Sequence, residues 1–362
     1  MTDPRLRRTY LDILRGIAVL VMIEAHVIDS WTRVGDRRLH TFGYSLILGG
    51  FGAPLFLFLA GVAVALSAGS KARRSGDDHA AVRAVAKRGF EIFLLAFVFR
   101  FQAFVISRSA ARAMLRVDIL NIMGPAIVAT AWLWGAVRST RARVAAFACA
   151  TVALVFLTPF VRAAGWLAAV PDPLEAYLRP VAGLTNFAFF PWAAFVPAGA
   201  LVGVLIDLAR TTMVERRVNL GLGLGGAVLA VAAYALSFLP APLAPSEFWT
   251  SSASFFFLRL GILTAIVPVA YAWEQRPTAG QHWSPLQLLG RSSLFIYWIH
   301  VEMVYGVISL PIHRSMTLLQ AWMALFAFCV FMVACAALKD RTLMWWRAPR
   351  PPAQGVGARS VA

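Results

Sequence analysis

Long apolar stretches, each separated from the next by a short cluster rich in Arg, Gly, Pro or Asp, recur along the whole chain. A helix needs about 20 mostly apolar residues to cross roughly 30 Å of hydrocarbon, and backbone groups inside lipid must bond to one another, which a helix achieves. The pattern predicts about ten transmembrane helices, at 10–30, 43–67, 89–107, 118–137, 144–163, 186–209, 219–239, 253–273, 291–310 and 317–338. The short alternating segments of a lipid-spanning β-barrel are missing. The expected fold is therefore an all-α, polytopic transmembrane helix bundle with no internal repeat and no long soluble insertion. The opening MTDPRLRRTYLDILRG has the basic start of a signal peptide, but no small-residue cleavage site follows and polar residues interrupt the apolar run, so a retained first helix is expected. From Arg347 onward the chain turns to Pro, Gly, Ala and Arg without an apolar period. The expected organisation is a transmembrane domain over 1–340 and a disordered cytoplasmic tail over 341–362.

Composition agrees with lipid as the solvent. Hydrophobic residues make up 60% of the chain and charged residues 14%, against about 25% charged in a soluble domain. A net charge of +17 in a soluble protein would suggest nucleic acid. Here the basic residues sit in short connections between apolar runs, which leaves no basic face for a nucleic acid. Across the ten expected helices, Lys and Arg concentrate on the side of the N-terminus, which places both termini in the cytoplasm. The segment 107–118 carries three Arg on the outer side and reads as a surface helix. Cys149, Cys329 and Cys335 lie in apolar stretches at spacings that fit no metal site, so they are expected to pack or to face lipid, with no metal bound. No targeting motif is visible, and the Ala- and Arg-rich chain fits a bacterial inner membrane. A homodimer is compatible with the sequence.

A charged side chain at the centre of a membrane helix costs about 2.5–3.5 kcal/mol on insertion scales, so each one needs a reason. The first helix holds Asp12, Arg15, Glu24, His26 and Asp29. At 100° per residue Arg15 and His26 fall on one face, about 16 Å apart along the axis. Asp12 precedes Arg15 by three residues and can pair with it, whereas Glu24 projects elsewhere and needs its own partner. This polar stripe either glues helices together or carries chemistry, with His26 as a base that holds no charge when unprotonated. In the ninth helix Ser293, Tyr297 and His300 share a face and Glu302 turns away from them. Asp118 opens the fourth helix as a cap or as a site residue, with Asn121 one turn later as helix glue or substrate contact. Arg100, Gln102 and Arg259 are candidate partners for Glu91, Glu24 or a substrate anion. Gly49, Gly50 and Gly52 lack the Lys-Ser/Thr of a nucleotide loop and are expected to allow close backbone approach. The basic loop from Gly69 to Gly89, with Arg73, Arg74, Lys87 and Arg88, serves topology alone or contacts an anionic nucleotide such as coenzyme A.

The run YLDILRGIAVLVMIEAHVIDSW, from Tyr10 to Trp31, resembles the opening of the heparan-alpha-glucosaminide N-acetyltransferase catalytic-domain family of membrane acyltransferases, with its Asp-x-x-Arg-Gly helix, Met-containing run and His. The stretches Pro54 to Gly61, Phe190 to Gly203 and Leu289 to His300, the last reading Leu-Gly-Arg-Ser-Ser-Leu-x-x-Tyr-x-x-His, are similar to the same family. The Arg-Gly and His features of helix one are shared with the related type-3 acyltransferases. The resemblance implies an acyl-CoA donor, acetyl-CoA most simply, on the cytoplasmic side and a sugar or glycan acceptor reached from the other face. It also implies a catalytic His at position 26, with Arg15 as the matching helix-one Arg. On this reading Arg73, Arg74, Lys87 and Arg88 hold the coenzyme A phosphates and Arg15 lies beside its pantetheine arm. His26 takes the acceptor proton or is itself acylated, and His300 and Tyr297 polarise the thioester. Asp12, Glu24, Asp118, Asn121, Tyr297 and Ser293 would contact substrate. Two other classes fit the many helices. A transporter or flippase for a sugar or lipid-linked glycan would share the polar stripe but lacks its usual inverted repeat here. A scaffold or sensor has little need of buried ionisable groups on one face.

Overall fold

The structure, a computed structural model, describes residues 8–107, 110–240, 246–276 and 283–347. Every regular element among them is helical: α1 (Thr9–Trp31), α2 (His40–Gly49), α3 (Gly52–Ser75), α4 (Asp78–Ser107), α5 (Ile119–Ala136), α6 (Thr140–Ala163), α7 (Asp172–Leu178), α8 (Phe189–Trp192), α9 (Phe195–Asp207), α10 (Thr212–Leu236), α11 (Ala253–Glu274), α12 (Pro285–Arg291), α13 (Ser293–Tyr305) and α14 (Leu318–Arg347). Among the described residues eight candidate membrane spans are long and apolar enough to cross a bilayer, and the chain is an integral membrane protein.

The count differs from ten for two reasons. α1 has 23 residues, about 34 Å at 1.5 Å per residue, but its charges keep it out of the apolar set. It lies at the centre of the bundle, packed against α2, α3, α11, α12, α13 and α14, so those charges meet protein rather than lipid. The span expected at 291–310 instead begins after Ser292 and ends at Tyr305, where Gly306 and a 3-10 turn follow, leaving α13 with 13 residues, about 20 Å and too short to cross alone. The span expected at 43–67 is interrupted at Gly50–Phe51, which separates α2 from α3. The segment expected as a surface helix contains one 3-10 turn, Ala111–Leu115, and residues 108–109 lie outside the described residues. α14 continues to Arg347, past residue 340. The rest of the expected tail, 348–362, lies outside the described residues.

The break at Ser292 lets α12 lie against α1. A Cβ on Gly16 would run into the Leu286 carbonyl, and one on Gly290 into the Asp12 carbonyl. The two glycines of the Arg-Gly and Leu-Gly-Arg segments are thus halves of one close helix crossing, and this crossing sets where α13 starts. Gly290→Leu is expected to destabilise the protein by about 1–3 kcal/mol through overpacking, read as a lowered thermal unfolding midpoint in detergent. An unchanged midpoint would refute the crossing.

Beyond α1 the connection is pinned to α14. The Asp36 carboxylate accepts the Leu318 backbone N–H at 2.9 Å and Arg33 Nε at 2.7 Å, tying the connection after α1 to the start of α14. These two donors, the backbone amide first, hold Asp36 below the ordinary aspartate range. A carboxyl depressed in the folded state adds stability above its unfolded pKa of about 3.9, and that stability is lost as pH falls through the folded value. Acid titration of the unfolding midpoint should therefore show wild type above Asp36→Asn at neutral pH, with the gap closing in strong acid. A constant gap would count against this clamp.

Candidate active site

α1 and α13 run side by side in the same direction. Ser30 Oγ donates to the Val304 carbonyl at 2.9 Å, and Tyr305 Oη donates to Asp29 Oδ2 at 3.2 Å. In this register His26 Nδ1 stands 2.9 Å from His300 Nε2, and His300 Nδ1 stands 2.7 Å from the Ile296 carbonyl. A carbonyl can only accept, so His300 carries its proton on Nδ1. In the neutral pair, His300 Nε2 then accepts from His26 Nδ1–H, which leaves the lone pair of His26 Nε2 free. The two rings lie 12° from coplanar, and Tyr305 stands edge-on to His26 with centroids 5.5 Å apart. His300 is fully buried. His26 lines a cavity of about 1390 Å³.

The cavity extends along α1 from Arg15 to His26. α3 and α4 deliver Lys71, Lys87 and Arg88 to its Arg15 end, while Gly49, Trp192 and Tyr305 line the His26 end. Arg15 is bonded to buried Asp12 at 3.0 Å, as its spacing predicts, and Arg88 to Glu91 at 3.1 Å. Lys71 and Lys87 have no ion-pair partner among the described residues. One wall is set by Asp118. It caps α5 in a reciprocal capping box with Asn121, and its Oδ2 accepts Arg100 at 2.6 Å and the Tyr297 hydroxyl at 3.3 Å. Asp118 is thus the cap that one sequence reading expected, and the same side chain lines the cavity.

Of the other expected site residues, Ser293 and Tyr297 line the cavity. Asn121 is buried outside it, donating to the Tyr177 hydroxyl at 3.1 Å. Burial pushes the Tyr177 phenol up from its ordinary pKa. Glu24 is also buried off the cavity, and neither of its carboxylate oxygens has a partner among the described residues. Arg73 is engaged by both carboxylate oxygens of Asp207, at 2.5 and 2.9 Å, and Arg74 is exposed; neither lines the cavity, whereas Lys87 and Arg88 do. Arg100 pairs with Asp118 rather than with Glu91 or Glu24, Gln102 accepts the Trp298 indole N–H, and Arg259 lies 3.8 Å over the Phe255 ring. Glu302 lines the cavity although helical spacing turns it from His300, because the cavity passes round the flank of α13.

Lys71, Glu302 and Tyr305 were not foreseen as site residues. Lys71 had a usable signal: Ala60, Ala63, Val64 and Ser67 repeat at helical spacing down the cavity face of α3 and lead to it. Tyr305 had none, since its role depends on the register between α1 and α13. In chemical terms the site is an imidazole base held in one tautomer by a buried partner, at one end of a corridor whose other end is cationic.

In comparison with known proteins, the family model described as Heparan-alpha-glucosaminide N-acetyltransferase, catalytic, matches residues 7–231, more than half of the chain. No curated protein matches it. The matched stretch includes Arg15 and His26 on α1 and the cavity faces of α3, α4 and α5. α13, which carries His300, lies outside it.

Proposed function

The chain belongs to the heparan-alpha-glucosaminide N-acetyltransferase catalytic family, and from that membership we propose that it transfers an acetyl group from cytoplasmic acetyl-CoA to an amino or hydroxyl group of a sugar or glycan on the opposite face of the membrane. Both termini are cytoplasmic on this reading, residues 1–340 form the transmembrane acyltransferase domain, and the membrane is a bacterial inner membrane. The observation that carries the proposal is the free ring nitrogen of His26, on a cavity whose far end is lined by Lys71, Lys87 and Arg88.

The donor's phosphates bind at the cationic end, where Lys71 and Lys87 offer unpaired ammonium groups. The pantetheine arm follows the corridor past Arg15 and brings the thioester to His26. There the acceptor's lone pair forms a bond to the acetyl carbon while His26 Nε2 takes the N–H or O–H proton. The C–S bond breaks, and the departing sulfur takes that proton from His26, so the enzyme returns to its starting state. His300 touches no substrate. It is a positioning residue that keeps His26 in the tautomer with the exposed lone pair.

Labelled acetyl-CoA supplied to one face of proteoliposomes tests the proposal. Label on a glucosaminide acceptor with release of free thiol is the expected result. Passage of the sugar without label transfer would overturn it in favour of a transporter. Lys71→Ala and Lys87→Ala are each expected to raise the KM for acetyl-CoA about tenfold or more, the loss of one charge-assisted contact, with kcat little changed. An unchanged KM in both would move the phosphate site elsewhere.

A further inference from the structure

α4 and α13 both line the cavity, but different neighbours hold them. α4 packs on α3 and α5, and it meets α5 at a close crossing where a Cβ on Gly89 would run into the Gly124 carbonyl. α13 packs on α1, α12 and α14. No comparable packing joins α4 to α13, and side chains close the seam between them. The Trp298 indole N–H on α13 donates to the Gln102 side-chain carbonyl on α4, and the Phe99 ring stands 5.4 Å from that of Trp298 and 5.5 Å from that of Tyr297. At 100° per residue Gln102 falls between Val98 and Phe99 around α4. Val98, like Phe97 and Phe101, is exposed on the apolar outer face of the helix, whereas Phe99 is buried and lines the cavity. Gln102 therefore stands where the lipid-facing surface turns into the cavity wall. Beyond the end of α4 the cavity is covered by two connections, which contribute Ala113, Arg116 and residues 185–187 to its lining. Backbone bonds tie these connections together: the Val117 N–H donates to the Leu184 carbonyl at 2.7 Å and the Asn186 N–H to the Val117 carbonyl at 3.0 Å.

Hydrogen bonds between side chains of neighbouring membrane helices are weak, because each group finds other partners when the helices part. The Trp298–Gln102 bond therefore opens more easily than the roof of paired backbone or the glycine crossing of α4 with α5. A polar group that passes between the helices can replace the indole as the partner of Gln102, so the amide is not left stranded at lipid depth. Resting on the acetyl-transfer reading, we infer that the acceptor is membrane-borne, a polar head on an apolar chain, and that it enters the site sideways from the lipid between α4 and α13. The head passes Gln102 into the cavity while the chain stays in the bilayer along Phe97, Val98 and Phe101. The continuity of this apolar face with the cavity wall is what selects such a molecule. A water-soluble acceptor has no use for it and meets the roof first.

The test locks the seam. Gln102→Cys and Trp298→Cys are combined with Cys149→Ala, Cys329→Ala and Cys335→Ala, and the new pair is bridged by a short bismaleimide with a reducible centre. Proteoliposomes supplied with acetyl-CoA are then given dodecyl β-D-glucosaminide, which lies in the bilayer, or methyl β-D-glucosaminide, which does not. Bridging should lower turnover of the dodecyl acceptor about tenfold or more, the loss expected when a path of entry closes, and reduction should restore it. Use of the methyl acceptor and the KM for acetyl-CoA should stay as they were before bridging. Independently of these variants, dodecyl β-D-glucosaminide with a diazirine at the chain end should label wild type on α4 or α13 at the seam. Unchanged dodecyl turnover after bridging, equal loss with both acceptors, or label found only on other helices would overturn the side entrance and leave acetyl transfer standing. Failure of wild type to acetylate either acceptor would instead overturn the acetyl-transfer reading beneath it.

Discussion

His26→Ala is expected to lower the rate of acetyl transfer by on the order of 10²- to 10⁴-fold, the range a positioned acid–base group supplies. The reason is geometric. His26 Nδ1 is committed to His300, which is committed in turn to the Ile296 carbonyl, so the only nitrogen of the pair free to take a proton is Nε2 of His26, a residue that lines the cavity. Acetyl-CoA binding should survive, because Lys71 and Lys87 lie at the other end of the corridor. His300→Ala should lower kcat by less, since it removes the positioning and leaves the base. Combining it with His26→Ala should add almost nothing, as expected of residues that act as one unit. Folded, purified His26→Ala turning over at the wild-type rate would remove the assigned role. A His300→Ala effect that adds fully to that of His26→Ala would show that the two rings act independently.

Asp118→Ala is the substitution expected to cost most stability. Asp118 joins three elements: it caps α5, pairs with Arg100 on α4 and accepts the Tyr297 hydroxyl on α13. The Arg100 side chain is only 12% exposed, so removal of the carboxylate leaves a largely buried guanidinium without its counter-ion. Breaking a buried pair on one side costs about 3–5 kcal/mol, and a lost cap adds about 1 kcal/mol. Asp118→Asn keeps a capping oxygen and loses only the charge, so it should fall between the two. Replacing both partners, Asp118→Ala with Arg100→Leu, should recover much of the loss because no charge is left stranded. The measurement is the unfolding midpoint in detergent for all four proteins. A double variant no more stable than Asp118→Ala alone would mean that the cap or the Tyr297 contact, and not the ion pair, sustains this wall.

What the sequence determined by itself is whatever depends on neighbours along one helix. Apolar length and period decide that the chain is helical and membrane-embedded, because each window of residues meets lipid on its own terms. Spacing by three and by eleven puts Asp12 beside Arg15 and His26 on the same face as Arg15. A polar residue before an apolar run marks Asp118 as a cap. The tertiary structure decided everything that depends on the register between helices. The break at Gly50–Phe51 and the end of α13 at Gly306 sit inside apolar stretches that look continuous to a hydropathy window. Arg73 belongs to Asp207, 134 positions away, while Lys71, two residues earlier on the same helix, reaches the cavity. His300 fixes the tautomer of His26 across 274 positions, and Glu302 reaches the same cavity from the flank of α13. Side-chain chemistry shows that such groups need partners inside a membrane. Only the packing of one helix against another, here permitted by Gly16 and Gly290, selects the partner each one meets.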